Sequence, residues 1–406
     1  MAKQKLYDRV SRWALFNNER GAVLLIVAIS LVVLIGMASL AVDVGYVAVT
    51  RNELQNVADA AALAATRKIS SIYEQIGYDH THDWAGDSDA IKQIAVGIGN
   101  KNGAAGKTVS ILTGDVKIGR WQVNSDTGLG IFTPDVTPPN AVRVTTRRDG
   151  QANSPITVFF AKIFTLVGAS DNVANVPVAA TATAALTGQC RAQPGELPPF
   201  GISDMAEYCN SGTYETPIQF YGNPTGDTSC AGWQMFFMGA NSSNLNEILQ
   251  GMIDKQIQNG ASCHREYGQT QSDASCWENA QQAQKALSPY TSPAVNVGDK
   301  LNFSNGDIQN AYPCMKNLYD CMKERNPDGS ESWHTDTPIY HGDCSPGGGM
   351  TVIGFGTVEI LSVNPSAKTI TAKVNCNMVV PDERGGCKSY GTYGSLPGLV
   401  DKGPGT

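Results

Sequence analysis

The sequence predicts an α+β protein. A single N-terminal transmembrane helix continues into an amphipathic helix packed on a small antiparallel sheet, and a disulfide-rich α+β domain follows. Three observations carry this expectation. Ala22–Val42 is an uncharged run followed by an Ala-rich stretch with helical spacing. Short apolar runs broken by Gly and Pro come next. All ten cysteines lie between Cys190 and Cys387, among mixed helical and strand patterns.

The apolar run would span roughly 31 Å as a helix, the thickness of a bilayer's hydrocarbon core. Its N-terminal flank carries Lys3, Lys5, Arg9, Arg12 and Arg20 against Asp8 and Glu19. Beyond it the first charges are Asp43, Arg51 and Glu53. Basic flanks stay cytoplasmic, so residues 1–20 are expected inside, 21–43 in the membrane and the remainder exported. A cleaved signal peptide is the rival reading, with Ala38-Ser39-Leu40-Ala41 as a weak cleavage site; the length of the run favours an uncleaved anchor.

Past the membrane, Leu54, Ala58, Ala61, Ala65 and Ile69 recur at three- and four-residue intervals while Arg51, Glu53, Gln55, Asp59 and Arg67 fall elsewhere. This is an amphipathic helix with a small-residue face, expected to pack on the protein's own sheet. A second helix is read over Ser88–Gly99. Strands are read over Lys107–Leu112, Asp115–Val123, Ala141–Arg147 and Val173–Leu186, with Pro177 marking an edge or bulge. Thr157–Val167 is apolar and fits a buried helix or a strand, but at 11 residues it is too short to cross a bilayer. Together these make an α+β domain over residues 44–188.

Pro194, Gly195, Pro198 and Pro199 place a linker at residues 189–199. Beyond it composition turns aromatic and Cys-rich, giving a second exported domain over 200–390 and a Gly- and Pro-rich flexible tail over 391–406. Helices are read at Ser243–Gln258, Ser275–Leu287 and Asp307–Arg325, the last capped by Asp307. Strands at Met350–Val363 and Lys368–Met378 flank Asn364-Pro365-Ser366-Ala367 as a hairpin.

Cys190, Cys209, Cys230, Cys263, Cys276, Cys314, Cys321, Cys344, Cys376 and Cys387 are the disulfide candidates. Their even number and confinement to the exported part suit an oxidising compartment. Cys314 and Cys321 stand seven apart; on a helix they are about 10.5 Å apart, beyond bonding reach, so each would bond a different partner.

No catalytic chemistry is expected. With 17% charged residues and a net charge of −7 the chain has no basic stripe for nucleic acid. His80-x-His82-Asp83, beside Asp79, reads as a solvated loop ahead of a metal site. Cys263-His264 and the pair His334 and His341 lack a carboxylate or nucleophile frame. Asp87-x-Asp89 and Asn326-Pro327-Asp328-Gly329 lack the full calcium-loop ligand series. Gly347-Gly348-Gly349 precedes a strand, the wrong order for a phosphate cradle. No catalytic motif is present, so no enzyme activity, cofactor, metal or small-molecule substrate is expected.

Arg20-Gly21-Ala22, the apolar helix, Leu40-Ala41-Val42-Asp43-Val44-Gly45, Arg51 and Leu54-Gln55-Asn56-x-Ala58-Asp59-Ala60-Ala61 resemble the N-terminal segment of TadG-like proteins of the bacterial tight-adherence (Tad/Flp) pilus system. Asn140-Ala141-Val142-Arg143-Val144, Phe159-Phe160-Ala161 and Val178–Ala185 are similar to that family's first periplasmic region. The motif positions are thus Gly21, Asp43, Gly45, Arg51, Leu54, Gln55, Ala58, Asp59 and Ala61. The resemblance implies a single-pass inner-membrane protein, N-terminus cytoplasmic and bulk periplasmic, acting as a non-catalytic scaffold in pilus assembly or pilus-associated adhesion. Its partners would be the lipid bilayer and other pilus-assembly proteins, met through the Ala-rich helix or the periplasmic domains. The metal-dependent adhesion motif of many relatives is missing. Cleavage after Gly21 would put Ile26 at the position where pilins carry Glu, which argues for a permanent anchor over a fibre subunit. The alternative is an anchored or secreted adhesin-like protein that recognises a surface ligand.

Overall fold

A computed structural model describes residues 19–77, 81–123, 129–161, 174–204, 231–261, 263, 276–277, 289–304, 308, 311–342 and 347–400. Helices are α1 (Glu19–Ile76), α2 (Trp84–Gly99), α3 (Ser242–Gln258) and α4 (Ala311–Met322). The main strands are β1 (Val116–Val123), β2 (Gly130–Pro134), β3 (Ala141–Arg148), β4 (Val178–Ala185), β5 (Phe200–Ser203), β6 (Ala231–Gln234) and β7 (Lys300–Ser304). They continue with β8 (Glu324–Arg325), β9 (Glu331–Tyr340), β10 (Gly347–Asn364), β11 (Thr369–Asn375), β12 (Met378–Arg384), β13 (Thr392–Leu396) and β14 (Gly398–Leu399). One sheet has five strands in the order β14-β4-β3-β1-β2, and a second has seven in the order β8-β9-β5-β6-β7-β10-β11. The class is mixed α+β, as the sequence predicts. The chain forms two compact units, one of residues 1–62, 92–116 and 143–182, the other of 63–91, 117–142 and 183–406.

In the first unit α1 begins with its apolar run bare: none of the spanning window is covered by protein, and Leu24 and Leu40 are 73% and 65% exposed. By length and composition this is the one candidate membrane span among the described residues. From Asp43 on, one face turns inward. Asp43, Thr50, Leu54, Val57, Ala58 and Ala61 are buried, and small side chains let strands approach closely. The Thr146 hydroxyl donates to the Leu54 carbonyl at 2.9 Å. Glu53 accepts the Ala105 N–H at 2.6 Å while Arg148 donates to the Ala104 carbonyl at 2.7 Å, which together hold a turn where Ala105 adopts a φ of 51°. Only Lys107–Thr108 of the strand expected over Lys107–Leu112 is extended in a pair, with Gly103–Ala104. Ile156–Thr157 pairs with Asn175–Val176, and Pro177 separates that pair from β4, as a residue without an N–H must. The rest of Thr157–Val167 lies mostly outside the described residues.

In the second unit the remainder of α1 buries Ala65, Ile69, Ile72 and Tyr73. Thr66 donates to the Ala184 carbonyl (3.1 Å), Arg67 to that of Ser395 (2.9 Å) and Tyr73 to that of Pro139 (2.9 Å). Asn140 is buried and bridges backbone: its amide group meets Trp121 N–H at 2.7 Å and the Trp121 carbonyl at 3.0 Å. The larger sheet closes on itself. Strand β5 pairs antiparallel with β6, β6 with β7 and β7 with β10, while β10 returns to β9, which lies parallel to β5. A ring of five strands removes the exposed edges an open sheet would leave. Its core holds Phe200, Trp233, Phe303, Tyr340 and Phe355, and α3 packs on α4 beside it.

Disulfides staple this unit. Cys190 bonds Cys387, Cys263 bonds Cys321 and Cys276 bonds Cys314; Cys376 is also disulfide-bonded. Cys314 and Cys321, both on α4, thus tie the helix to two different partners. Cys209, Cys230 and Cys344 lie outside the described residues.

Several expectations are corrected. The last helix ends at Met322, not Arg325, because Glu324–Arg325 pairs with β9 as β8. The Asp307 cap and most of Ser275–Leu287 lie outside the described residues. Gly347–Gly349 opens strand β10 itself, paired with Asn302–Ser304. Residues 391–400 are not a loose tail. Strand β13 buries Thr392, Tyr393 and Ser395, and β14 pairs with Ala184–Ala185 of β4. Within the 189–199 segment, Cys190 is disulfide-bonded to Cys387 and Arg191–Ala192 pairs with Val295–Asn296.

Candidate functional site

The motif positions divide by where they face. Asp43 is the first charged residue after the apolar run and is 7% exposed. Its Oδ1 accepts the Phe159 N–H at 2.9 Å, its Oδ2 accepts the Ala161 N–H at 2.9 Å, and both oxygens accept the Phe160 N–H at 3.2 and 3.1 Å. Three backbone donors on one carboxylate satisfy a group whose burial would otherwise be costly. Tyr46, one turn on, sets its ring 5.3 Å from that of Phe159. Leu54, Ala58 and Ala61 are fully buried. Gln55 donates to Asp59 Oδ1 at 2.7 Å and to the Thr181 carbonyl at 3.3 Å, clasping the helix to β4. Gly21 lies in α1.

Gly45 and Arg51 face outward. A Cβ on Gly45 would meet nothing within 4 Å, so no packing within the chain requires glycine there. With Val44, Val49, Asn52, Asn56 and Ala60 they lie on the exposed half of the helix, away from the buried face. Such a surface can receive another helix.

The histidines pair with carboxylates singly. His82 Nε2 lies 2.6 Å from Asp87, not Asp83, and its ring stands edge-on to Trp84. His80 and His264 lie outside the described residues. His341 Nδ1 is 2.7 Å from Asp204, and His334 is 3.7 Å from Glu359; the sequence reading missed both partners, which are far along the chain. No group of three His, Cys, Asp or Glu residues could hold a metal among the described residues. Asp328 accepts the Ser330 N–H at 2.9 Å and its hydroxyl at 2.6 Å, which lowers its pKa and makes Asn326–Ser330 a turn.

A pocket of about 490 Å³ in the second unit is lined by Glu196, Lys255, Tyr290, Ser292, Trp333 and Asp336, among others. Burial pushes Asp336 up to about 6, against the bond donated by Thr357 at 2.7 Å and with Glu196 adding repulsion. Burial also raises Glu196, opposed by the Gln193 N–H and reinforced by Glu383. Burial takes Tyr290 to about 12. The Ser292 hydroxyl oxygen accepts the Gly195 and Leu197 N–H groups at 2.9 and 3.3 Å, so it fastens the 194–198 turn. No signal in the sequence singled out Asp336, Thr146 or Arg148, and Glu53 read only as a charge off the apolar face of the helix.

Residues 21–68 match the family model described as putative Flp pilus-assembly TadE/G-like, and residues 77–184 match that described as putative Tad-like Flp pilus-assembly. No curated protein and no solved structure matches the chain.

Proposed function

We propose, from the premise that residues 21–68 and 77–184 match TadE/G-like and Tad-like Flp pilus-assembly models, that this chain is a non-catalytic, membrane-anchored scaffold of that assembly. In this reading residues 21–43 cross the inner membrane with the N-terminus in the cytoplasm. Residues 44–188 and the Cys-rich domain over 200–390 lie on the periplasmic side.

The observation that carries the reading is the division of the motif on α1. Asp43, Leu54, Gln55, Ala58 and Ala61 are engaged with the chain's own fold and Asp59 with Gln55, whereas Gly45 and Arg51 lie on the exposed face. Intramolecular packing accounts for the first set; a neighbouring assembly protein accounts for the second. A photo-crosslinking amino acid at Asn56 or Ala60, in cells that make pili, tests this. The expected product joins the chain to another pilus-assembly protein, and Leu54 carrying the same group should give none. Equal crosslinking from both faces, or none from the outer one, would contradict the scaffold reading.

A further inference from the structure

We propose that the Phe159–Phe160 turn is a second membrane contact, seated by Asp43 in the interfacial layer of the bilayer that α1 crosses. This rests on the anchor reading above. The Asp43 carboxylate directly follows the apolar run, so the backbone it holds at about 3 Å lies at the level where that run ends. At that level the chain exposes apolar side chains instead of burying them. Phe159 is 62% exposed and Phe160 37%.

Each exposed large apolar side chain forgoes transfer free energy in water, and a cluster of them marks a contact surface. Continuity with the bare apolar run of α1 identifies the occupant as lipid. The Tyr46 ring against Phe159 adds an aromatic with a polar tip at the same height, the arrangement that suits the headgroup boundary. The Asp43 charge does not oppose this seat, because three N–H groups satisfy it. The turn would limit rocking of the folded part about a single helix by giving it a second point of attachment.

The test uses the full-length protein in vesicles of phosphatidylethanolamine and phosphatidylglycerol, with an environment-sensitive fluorophore on one introduced cysteine. Phe159→Cys is compared with Leu31→Cys in the span and Lys107→Cys as an exposed reference. Label at 31 should be quenched by a nitroxide deep on the acyl chain. Label at 159 should be quenched several-fold more by a shallow nitroxide than by the deep one and be shielded from aqueous iodide. Label at 107 should be open to iodide. If 31 is quenched while 159 is as open to iodide as 107, the inference is overturned. Shielding of 159 from iodide and from both nitroxides would mean that protein covers it, which also overturns it. Loss of quenching at 31 would instead bring down the anchor reading beneath. In an Asp43→Ala background the shallow quenching at 159 should fall at least two-fold with 31 unchanged; no fall would remove Asp43 as the positioning residue.

Discussion

The Thr146 hydroxyl reaches across 92 positions of sequence to the Leu54 carbonyl, fastening strand β3 to the buried face of α1 at 2.9 Å. Leu54 and Thr146 are both fully buried, so the bond forms without competing water. Thr146→Val keeps the β-branched shape and removes the donor. A buried bond of this kind is worth about 1 kcal/mol net, so thermal unfolding in detergent should show Tm lower by a few degrees. An unchanged Tm would mean that this bond adds nothing net to the hold of the helix on the strand.

The disulfides should matter selectively. Cys276→Ser and Cys314→Ser remove one bond, and each should lower the stability of the Cys-rich part by about 2–4 kcal/mol. The double variant should cost no more than either single one. Without reduction, alkylation under denaturing conditions should leave Cys190, Cys263, Cys276, Cys314, Cys321, Cys376 and Cys387 unlabelled. Labelling of most of them would refute the bonded state.

Asp336 makes stability depend on pH. Its folded pKa, about 6, lies above its ordinary value of 3.8, so the folded state binds the proton more tightly. The Asp336 contribution to stability is therefore greatest below about 4, falls as pH rises through 6 and then levels off. Asp336→Asn should flatten that part of the profile and stabilise the protein at pH 7 by about 1–3 kcal/mol, discounting for partial solvent access. A denaturation series across pH 4–8 reads this. A slope kept intact in the variant would assign it to another group.

Topology is open to direct measurement. A reporter active only in the periplasm should give signal when fused after residue 70 and none after residue 12. The reverse pattern would overturn the orientation drawn from the basic N-terminal flank, and a mature N-terminus near residue 42 would establish cleavage.

Local patterns carried the parts of the fold that were legible. Leu54, Ala58, Ala61, Ala65 and Ile69 announce the inner face of α1 because helical periodicity is a property of neighbouring residues. The β10–β11 hairpin is visible for the same reason, through two apolar runs around Asn364–Ala367. The closed ring is not visible. Strands β5 and β6 are four residues each and buried on both faces, so they show no alternation. Strand β9 reads as polar and contains Pro338, yet it pairs along most of its length with β10. Strand β13 sits in a Gly-rich stretch whose composition imitates a loose tail. At the site, Asp43 stood out as the first charge past the apolar run. Its role did not, because its partners are backbone groups that follow it by 116 to 118 residues.

The most direct test of the central claim is a count of surface pili on cells lacking this chain. Deletion should abolish or sharply reduce assembled Flp-type pili while the pilin subunit is still made, and the full-length gene should restore them. Restoration should fail with a chain lacking residues 22–42. Normal piliation in the deletion strain would contradict the assignment to pilus assembly.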